Sequence, residues 1–407
     1  MSGMSYDSRL RLAYFSPLPP ARSGIADYSV ELLPHLAQLA DVTVFTTENV
    51  MLPANAYLPS LTLRALPQYA PHRWHYDLAL YQMGNSQHHD AIYDHCLLYP
   101  GVVVLHDYIL HHAQAHRTAG QGRPAAYVRE MGYSYGKDGL RLAYRIQAGQ
   151  QPTPLFDLPL NERLLHTNLG FIVHSQYVAE RIRPHIGLRP LAVIPQIMQP
   201  ATSSAPPRQR LSGWPAHWPA DAIILASGGQ VTPARRLDKV LAVFKQLCAD
   251  WPVYYLIIGD TGTEVDVTNL VANLGLTQRV HCTGYLPDLA DFNHWLAAAD
   301  IVVNLRHPTA GETSAVALRA MAAGKPVVVY DHGWYAELPD DACCKVAPLD
   351  QATLYNGLTQ LIADAAERQR LGTTAVAYIN THCHPQAVAQ RYLDLLNQVT
   401  AFVTRNL

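Results

Sequence analysis

The segment Arg306-His307-Pro308-Thr309-Ala310-Gly311-Glu312-Thr313-Ser314 packs a cation, hydroxyls, a carboxylate and a glycine into one loop after the apolar run Ile301 to Leu305. A helical pattern begins near Glu312 and carries Val316, Leu318, Ala320 and Met321, with Gly324 and Pro326 stopping it. Gly311 would let backbone approach a ligand closely. The amides of Glu312, Thr313 and Ser314 would then be helix-terminal donors, and with the helix dipole they favour an anion such as a diphosphate. Thr309, Thr313 and Ser314 can add hydroxyls. Glu312 and Arg319 are seven apart, two turns along one helix face. The same pattern also describes an ordinary capped βαβ unit.

Three further clusters could serve the same chemistry. Gly228-Gly229 ends an apolar run and is followed by Arg235 and Arg236 before a helix, a combination of glycines and cations that suits phosphate. Ser23-Gly24 opens another helix, where a glycine could bring a diphosphate against backbone. His106-Asp107 with His111-His112 invites a metal reading, but the spacing is not HExxH and no second carboxylate cluster accompanies it, so no metal is expected. His106 reads instead as a sugar or acceptor contact at the end of a strand. Asn85, Asp107 and the pair His88-His89 follow similar ends and read as acceptor-side residues. His382-Cys383-His384 reads as a helix entry.

The elements that must hold these residues alternate. Arg11 to Phe15, Val42 to Phe45, Leu78 to Tyr81, Val102 to Leu105, Phe171 to His174 and Leu191 to Ile194 read as strands. A helix with apolar residues at Tyr28, Val30, Leu32, Leu33, Leu36 and Leu39 follows the first, and Ala125 to Gln147 reads as another helix. Gln199 to Pro219, rich in Pro, Ser and Arg, reads as a linker. The pattern then restarts with strands at Ile223 to Ala226, Tyr254 to Ile258, Val280 to Thr283, Ile301 to Leu305 and Val327 to Tyr330, and a helix from Leu237 to Leu247. Such alternation means parallel sheets, whose ligands sit beyond the carboxyl ends of the strands. The expected fold is α/β with two Rossmann-like domains facing across a cleft, 1–200 and 201–382. A last amphipathic helix, Gln386 to Phe402 within 383–407, packs back toward the first domain.

The bulk composition excludes several classes. At 407 residues, 49% hydrophobic and 15% charged, the chain has ample core and is too apolar for disorder. A formal net charge of -2 gives no argument for nucleic acid. The 6 cysteines form no CxxC pair, so reduced thiols are expected. Met1 to Leu10 lacks a charged segment followed by an apolar one, and no apolar run is long enough to span a bilayer. A cytoplasmic location follows as the expectation, with peripheral contact on the inner membrane face left open. There is no GxGxxG, no GxxxxGK[ST] and no GxSxG.

The ordered series of motifs resembles glycosyltransferase family 4, of the GT-B fold. The resemblance rests on Gly311-Glu312-Thr313-Ser314 through Arg319-Ala320-Met321-Ala322-Ala323-Gly324-Lys325-Pro326 and on Asp331-His332-Gly333-Trp334-Tyr335. Thr283-Gly284-Tyr285, Val104-Leu105-His106-Asp107, Val173-His174-Ser175 and the opening Phe15-Ser16-Pro17-Leu18-Pro19-Pro20 to Ser23-Gly24 also fit. The resemblance implies a retaining, metal-independent transferase without a cofactor, with a nucleotide sugar held by the C-terminal domain and a carbohydrate or lipid-linked acceptor by the N-terminal one. It implies catalytic roles for Glu312, Arg235 and His106. Donor contacts would come from Gly24, Gly229, Arg236, Thr309, Gly311, Thr313, Ser314 and Arg319. The sequence departs from the family pattern in three places. Gly311 and Arg319 stand where the family has two glutamates, with Glu312 one position off, and Gln230 replaces the first of its two diphosphate cations. A non-catalytic nucleotide-sugar or glycan-binding relative of the same fold is the alternative reading.

Overall fold

Strands buried on both faces must be apolar throughout, and the strand sequences obey this. In the computed structural model, which describes residues 9–47, 61–200 and 206–406, the runs Val102–Leu105, Gly170–Val173 and Val327–Tyr330 are buried at every position. Seven parallel strands form the first sheet: β1 (Arg11–Phe15), β2 (Asp41–Thr46), β3 (Thr62–Ala65), β4 (Leu78–Met83), β5 (Val102–Leu105), β6 (Gly170–Val173) and β7 (Leu191–Val193), in the order β3-β2-β1-β4-β5-β6-β7. Six parallel strands form the second: β8 (Ile223–Gly228), β9 (Val253–Ile258), β10 (Val280–Cys282), β11 (Ile301–Val303), β12 (Val327–Tyr330) and β13 (Cys344–Val346), in the order β10-β9-β8-β11-β12-β13.

The chain divides into two units. The first holds the described residues up to Ile197, together with Ala310–Thr313 and the chain from Pro385 onward; the second holds Met198–Thr309 and Ser314–His384. Each sheet has an apolar layer on both of its faces.

The last helix runs Pro385–Asn406 and belongs to the first unit. Val388, Tyr392, Leu395, Leu396 and Val399 recur at helical spacing and are buried against the layer that includes Tyr28, Leu32 and Leu36 of helix Gly24–Leu39. The four aliphatic side chains among them contribute about 1.5–3 kcal/mol each. The buried hydroxyls of Tyr28 and Tyr392 meet at 2.5 Å, which satisfies two polar atoms inside this apolar contact.

Two expectations need correction. The stretch expected as one helix, Ala125 to Gln147, is an antiparallel hairpin. Pro124–Gln147 breaks at Gly136, whose φ of 57° and ψ of -140° are not helical. A straight helix of that length would hold its ends roughly 35 Å apart, yet the Gln147 side-chain amide donates to the Pro124 carbonyl at 2.8 Å. Gly139 makes the close return possible, because a Cβ there would lie 2.1 Å from the Met131 carbonyl oxygen. Helical periodicity continues in register through the break, so the pattern alone does not show it.

The expected linker is the second case. Its residues 201–205 lie outside the described residues, as do residues 1–8 of the segment read for a signal. Beyond them the chain is not a passive connection. Trp218 is buried, and Trp214 stacks on Trp295 with ring centroids 5.7 Å apart, so this stretch is part of the second unit's core. Two short edge strands, β3 and β13, had no strand signal; β3 is largely exposed and β13 is three residues long. No described helix is long and apolar enough to cross a membrane.

Replacing Tyr28 with Phe leaves the Tyr392 hydroxyl buried without its partner, which costs about 1–3 kcal/mol. Chemical denaturation should show that loss, and the double variant Tyr28→Phe/Tyr392→Phe should lose less than the two single losses combined. Additive losses would mean that the hydroxyl pair does not hold the helix.

Candidate active site

In an open parallel sheet the ligand crevice opens where the strand order reverses, because the loops leaving two neighbouring strands diverge to opposite faces. The first sheet reverses between β1 and β4 and the second between β8 and β11. Most of the candidate residues follow one of these strands or the strand beside it.

In the second unit β8 ends in Gly228 and continues into Gly229, whose φ is +81°. Gly228 leaves room for the neighbouring helix, since a Cβ there would lie 2.9 Å from Val316 Cγ1. Arg235 folds back over this turn. Its Nη1 donates to the Gly228 carbonyl, and its Nη2 lies 2.6 Å from where a Cβ on Gly229 would sit. The short turn Pro233–Arg235 is tied down by the His307 amide, which donates to the Ala234 carbonyl at 2.7 Å. Arg236 sits at φ +53° before helix Leu237–Asp250 and pairs with Asp238 at 2.9 Å.

The helix expected to begin near Glu312 begins later, as Ala315–Ala322. Ser314 is its N-cap. The Ser314 Oγ accepts from the Ala317 amide at 3.2 Å and from Asn304 Nδ2 at 2.9 Å, leaving its own proton to donate. The first-turn amides are therefore those of Ala315, Val316 and Ala317, not those of Glu312, Thr313 and Ser314. The cause is local: Gly311 has φ +82°, and the Glu312 carboxylate accepts from the Ala310 amide at 2.6 Å, so this stretch is a turn. Glu312 and Arg319 consequently do not share a helix face. Arg319 lies inside the helix and is buried, which a guanidinium tolerates only with its donors engaged. Thr309 packs beside Gly333, where a Cβ would lie 3.4 Å from Thr309 Cγ2. Ala310–Thr313 groups with the first unit: the Ile109 amide donates to the Ala310 carbonyl at 2.8 Å, and Gly311 fits where a Cβ would meet Tyr108 Cβ at 2.5 Å.

In the first unit Ser23 caps helix Gly24–Leu39, accepting from the Ile25 amide at 3.2 Å. A Cβ at Gly24 would meet nothing within 4 Å, so the glycine leaves the helix start open to approach. Asp107 Oδ2 accepts from the Asn85 amide at 2.7 Å. The Asn85 side chain bridges His112 Nδ1 at 3.0 Å and the Ala113 amide at 3.0 Å. His88 is half-buried in the turn Gln87–His89. His111 is structural, held between the Leu158 carbonyl and the Tyr127 hydroxyl. Among the described residues no group of three or more His, Cys, Asp or Glu side chains is placed to hold a metal ion.

His106 is buried at the end of β5 with both ring nitrogens engaged. His174 Nδ1 faces the Ile194 carbonyl at 2.8 Å, and a carbonyl only accepts, so Nδ1 carries the proton. His174 Nε2 then accepts from His106 Nδ1 at 3.2 Å. His106 Nε2 lies 2.7 Å from Gln82 Oε1, and turning that amide over would direct its unpartnered NH₂ at the ring and supply the donor that Nε2 needs. The Gln82 main-chain carbonyl accepts from His89 Nδ1 at 3.1 Å. Burial pushes the imidazoles of His89 and His174 down to about 4 and that of His106 well below its ordinary value, so all three are neutral at neutral pH. Gln82 and His174 were not among the expected site residues, whereas the pair His88-His89 was read as acceptor-side. The signal for Gln82 and His174 is a polar residue within or directly following an apolar strand run; His89 closes the turn Gln87–His89 after β4.

These histidines make stability depend on pH. Each binds a proton more weakly folded than unfolded, so their contribution is complete above about 6.5 and is lost as the pH falls toward about 4. The expected loss is on the order of a few kcal/mol over that interval. Urea unfolding between pH 7 and 4.5 should show it, and His174→Gln should flatten the slope. An unchanged slope in that variant would remove His174 from the account.

Comparisons with known proteins agree with the two-sheet architecture. Residues 221–364 match the family described as Glycosyl transferases group 1. No curated protein matches the chain by sequence. Among solved structures the chain resembles Anabaena HepE in complex with UDP-glucose, with 17% identity, 95% of this chain and 100% of that one covered, and a TM-score of 0.66. It resembles sucrose-phosphate synthase from Thermosynechococcus elongatus with 18% identity, 97% and 100% coverage and a TM-score of 0.66. It also resembles WaaG, a glycosyltransferase involved in lipopolysaccharide biosynthesis, with 15% identity, 95% and 99% coverage and a TM-score of 0.58. The match over residues 221–364 and the two-sheet architecture shared with these glycosyltransferase structures identify the GT-B fold and a segment similar to Glycosyl transferases group 1.

Proposed function

We propose that the chain belongs to family 4 and transfers a sugar, with retention, from a nucleotide diphosphate donor to a carbohydrate or lipid-linked acceptor, without a catalytic metal or cofactor. The observation that carries this reading is the Arg235 guanidinium clasped over the Gly228–Gly229 turn at the strand reversal of the second unit. A glycine turn brings backbone close to a ligand, and the guanidinium offers a fixed fork of donors to phosphate oxygens. The start of helix Ala315–Ala322 follows the other reversal strand, β11, and adds amide donors. The HepE structures hold UDP and UDP-glucose, which supports a uridine diphosphate sugar as the first donor to test.

In this reading the leaving diphosphate takes the acceptor proton on the face from which it departs. The protein positions the two partners and stabilises the charge that grows on the leaving group. Arg235 supplies that charge stabilisation. Glu312 acts through the turn it closes on the Ala310 amide, and Thr309, Thr313, Ser314 and Arg319 line the donor. Gly24, Asn85, His88 and Asp107 serve the sugar and acceptor side, and His106 holds that floor in shape. The location is cytoplasmic.

Thermal unfolding with a panel of nucleotide diphosphates and their sugars tests the donor. Stabilisation by one nucleotide, unchanged by chelator, is expected; no response to any nucleotide would overturn the reading. With the donor named, Arg235→Ala should lower kcat/KM by about 100-fold or more while the unfolding midpoint without ligand stays in place. Undiminished turnover in that variant would remove Arg235 from the site.

A further inference from the structure

The first sheet's reversal point holds a buried acceptor that nothing in the fold uses. His89 is 1% exposed, and its Nδ1 carries the proton because it faces the Gln82 main-chain carbonyl. The neutral ring therefore presents a lone pair at Nε2, and that atom has no hydrogen-bond partner. A buried acceptor without a donor costs free energy, which a hydroxyl donor from a ligand or an ordered water would relieve.

The atom has a defined address. A Cβ on Gly84 would lie 3.0 Å from His89 Nε2 and 3.2 Å from Asp107 Oδ2, so both acceptors border Gly84. Gly84 directly follows β4 and Ile25 belongs to the first turn of the helix after β1, the two strands between which the order reverses. The half-exposed Ile25 covers the same point with its Cδ1, beside the open space at Gly24. Two acceptors on either side of one glycine disfavour an anion and suit hydroxyl donors.

We propose that His89 is a carbohydrate-binding residue of the first unit, with Nε2 accepting one sugar hydroxyl while Asp107 Oδ2 accepts its neighbour. This rests on the glycosyltransferase reading for the class of ligand. The hydroxyl reaches Nε2 by displacing the Ile25 methyl. The sugar is either the acceptor or the one being transferred, and the chemistry at His89 is the same for both. His88, the neighbour in sequence, has no comparable setting.

The full chain labelled with ¹⁵N-histidine tests this, with the His89 resonances assigned from their absence in His89→Asn. Ligand-free protein should show Nδ1 protonated and Nε2 bare. Glucose, galactose, mannose, N-acetylglucosamine, UDP-glucose and UDP are the probes. A shift of Nε2 with a free sugar places the acceptor there; a shift with UDP-glucose but not with UDP or free sugars places the transferred sugar there. Ile25→Ala should enlarge the response. The Asn side chain keeps a donor toward the Gln82 carbonyl but lacks the Nε2 acceptor. His89→Asn should therefore stay folded at the assay temperature, checked by its unfolding midpoint, and bind the responding ligand roughly three- to tenfold more weakly by calorimetry. An Nε2 that no sugar moves, one already hydrogen-bonded to an ordered water and unchanged by every probe, or one moved equally by UDP alone would overturn the proposal. UDP binding measured in parallel reports on the donor reading: binding of UDP with a silent His89 overturns only the present inference.

Discussion

A parallel sheet leaves the carboxyl ends of its strands with no partner but the loops that follow them. Where the strand order reverses, neighbouring loops leave in opposite directions and a crevice is unavoidable. This chain makes that construction twice, at β1/β4 and at β8/β11. The consequences differ because the residues placed there differ. In the second unit the crevice is lined by backbone: a glycine pair, a guanidinium folded across it and the start of a helix. In the first unit buried side chains stand there: Gln82 within β4, His106 and His174 just past β5 and β6, and His89 in the turn after β4.

The two solutions also differ in charge. Backbone amides and arginines favour an anion, and they need no protonation state to do so. The histidine floor is neutral and its tautomers are fixed in sequence, from the Ile194 carbonyl through His174 and His106 to Gln82. A chain of that kind is stronger the more of its members are satisfied. It therefore holds the ends of β4, β5 and β6 in one arrangement. That rigidity is useful beside Asp107 and Asn85, whose contacts with each other and with His112 set the outer edge of the same floor.

Much of this was legible in the residues. Val102 to Leu105 and Val327 to Tyr330 have no reading but buried strands, and Ser23-Gly24 and Arg235-Arg236 mark helix entries that the structure confirms in place. Other features were hidden for physical reasons. Gly136 interrupts a helical period without disturbing its phase, so a hairpin passes for one helix. Trp214 and Trp218 sit among prolines and arginines, and composition masks the two side chains that anchor that stretch. His89 and His174 look like ordinary polar residues after a strand; only the third dimension shows which of their nitrogens are used.

The helix beginning at Ala315 shows why a single cap matters. A carboxylate, two hydroxyls and a glycine stand in a row, and any of several could have started the helix. Ser314 does so because its oxygen can reach the Ala317 amide, whereas Glu312 closes back on Ala310 across a glycine with positive φ. The carboxylate is thereby kept out of the helix and spent on shaping the turn. The departures of Gly311 and Arg319 from the glutamate pattern of the family that the sequence resembles fit this arrangement. A glutamate at 311 would need both a positive φ and a Cβ where Tyr108 already packs, so the acidic group moves one residue on. At 319, a guanidinium that is buried needs its donors met from within. The charge pattern of the site is thus set by what the backbone at Gly311 permits, and a search for two glutamates at fixed spacing would miss a site built on this turn.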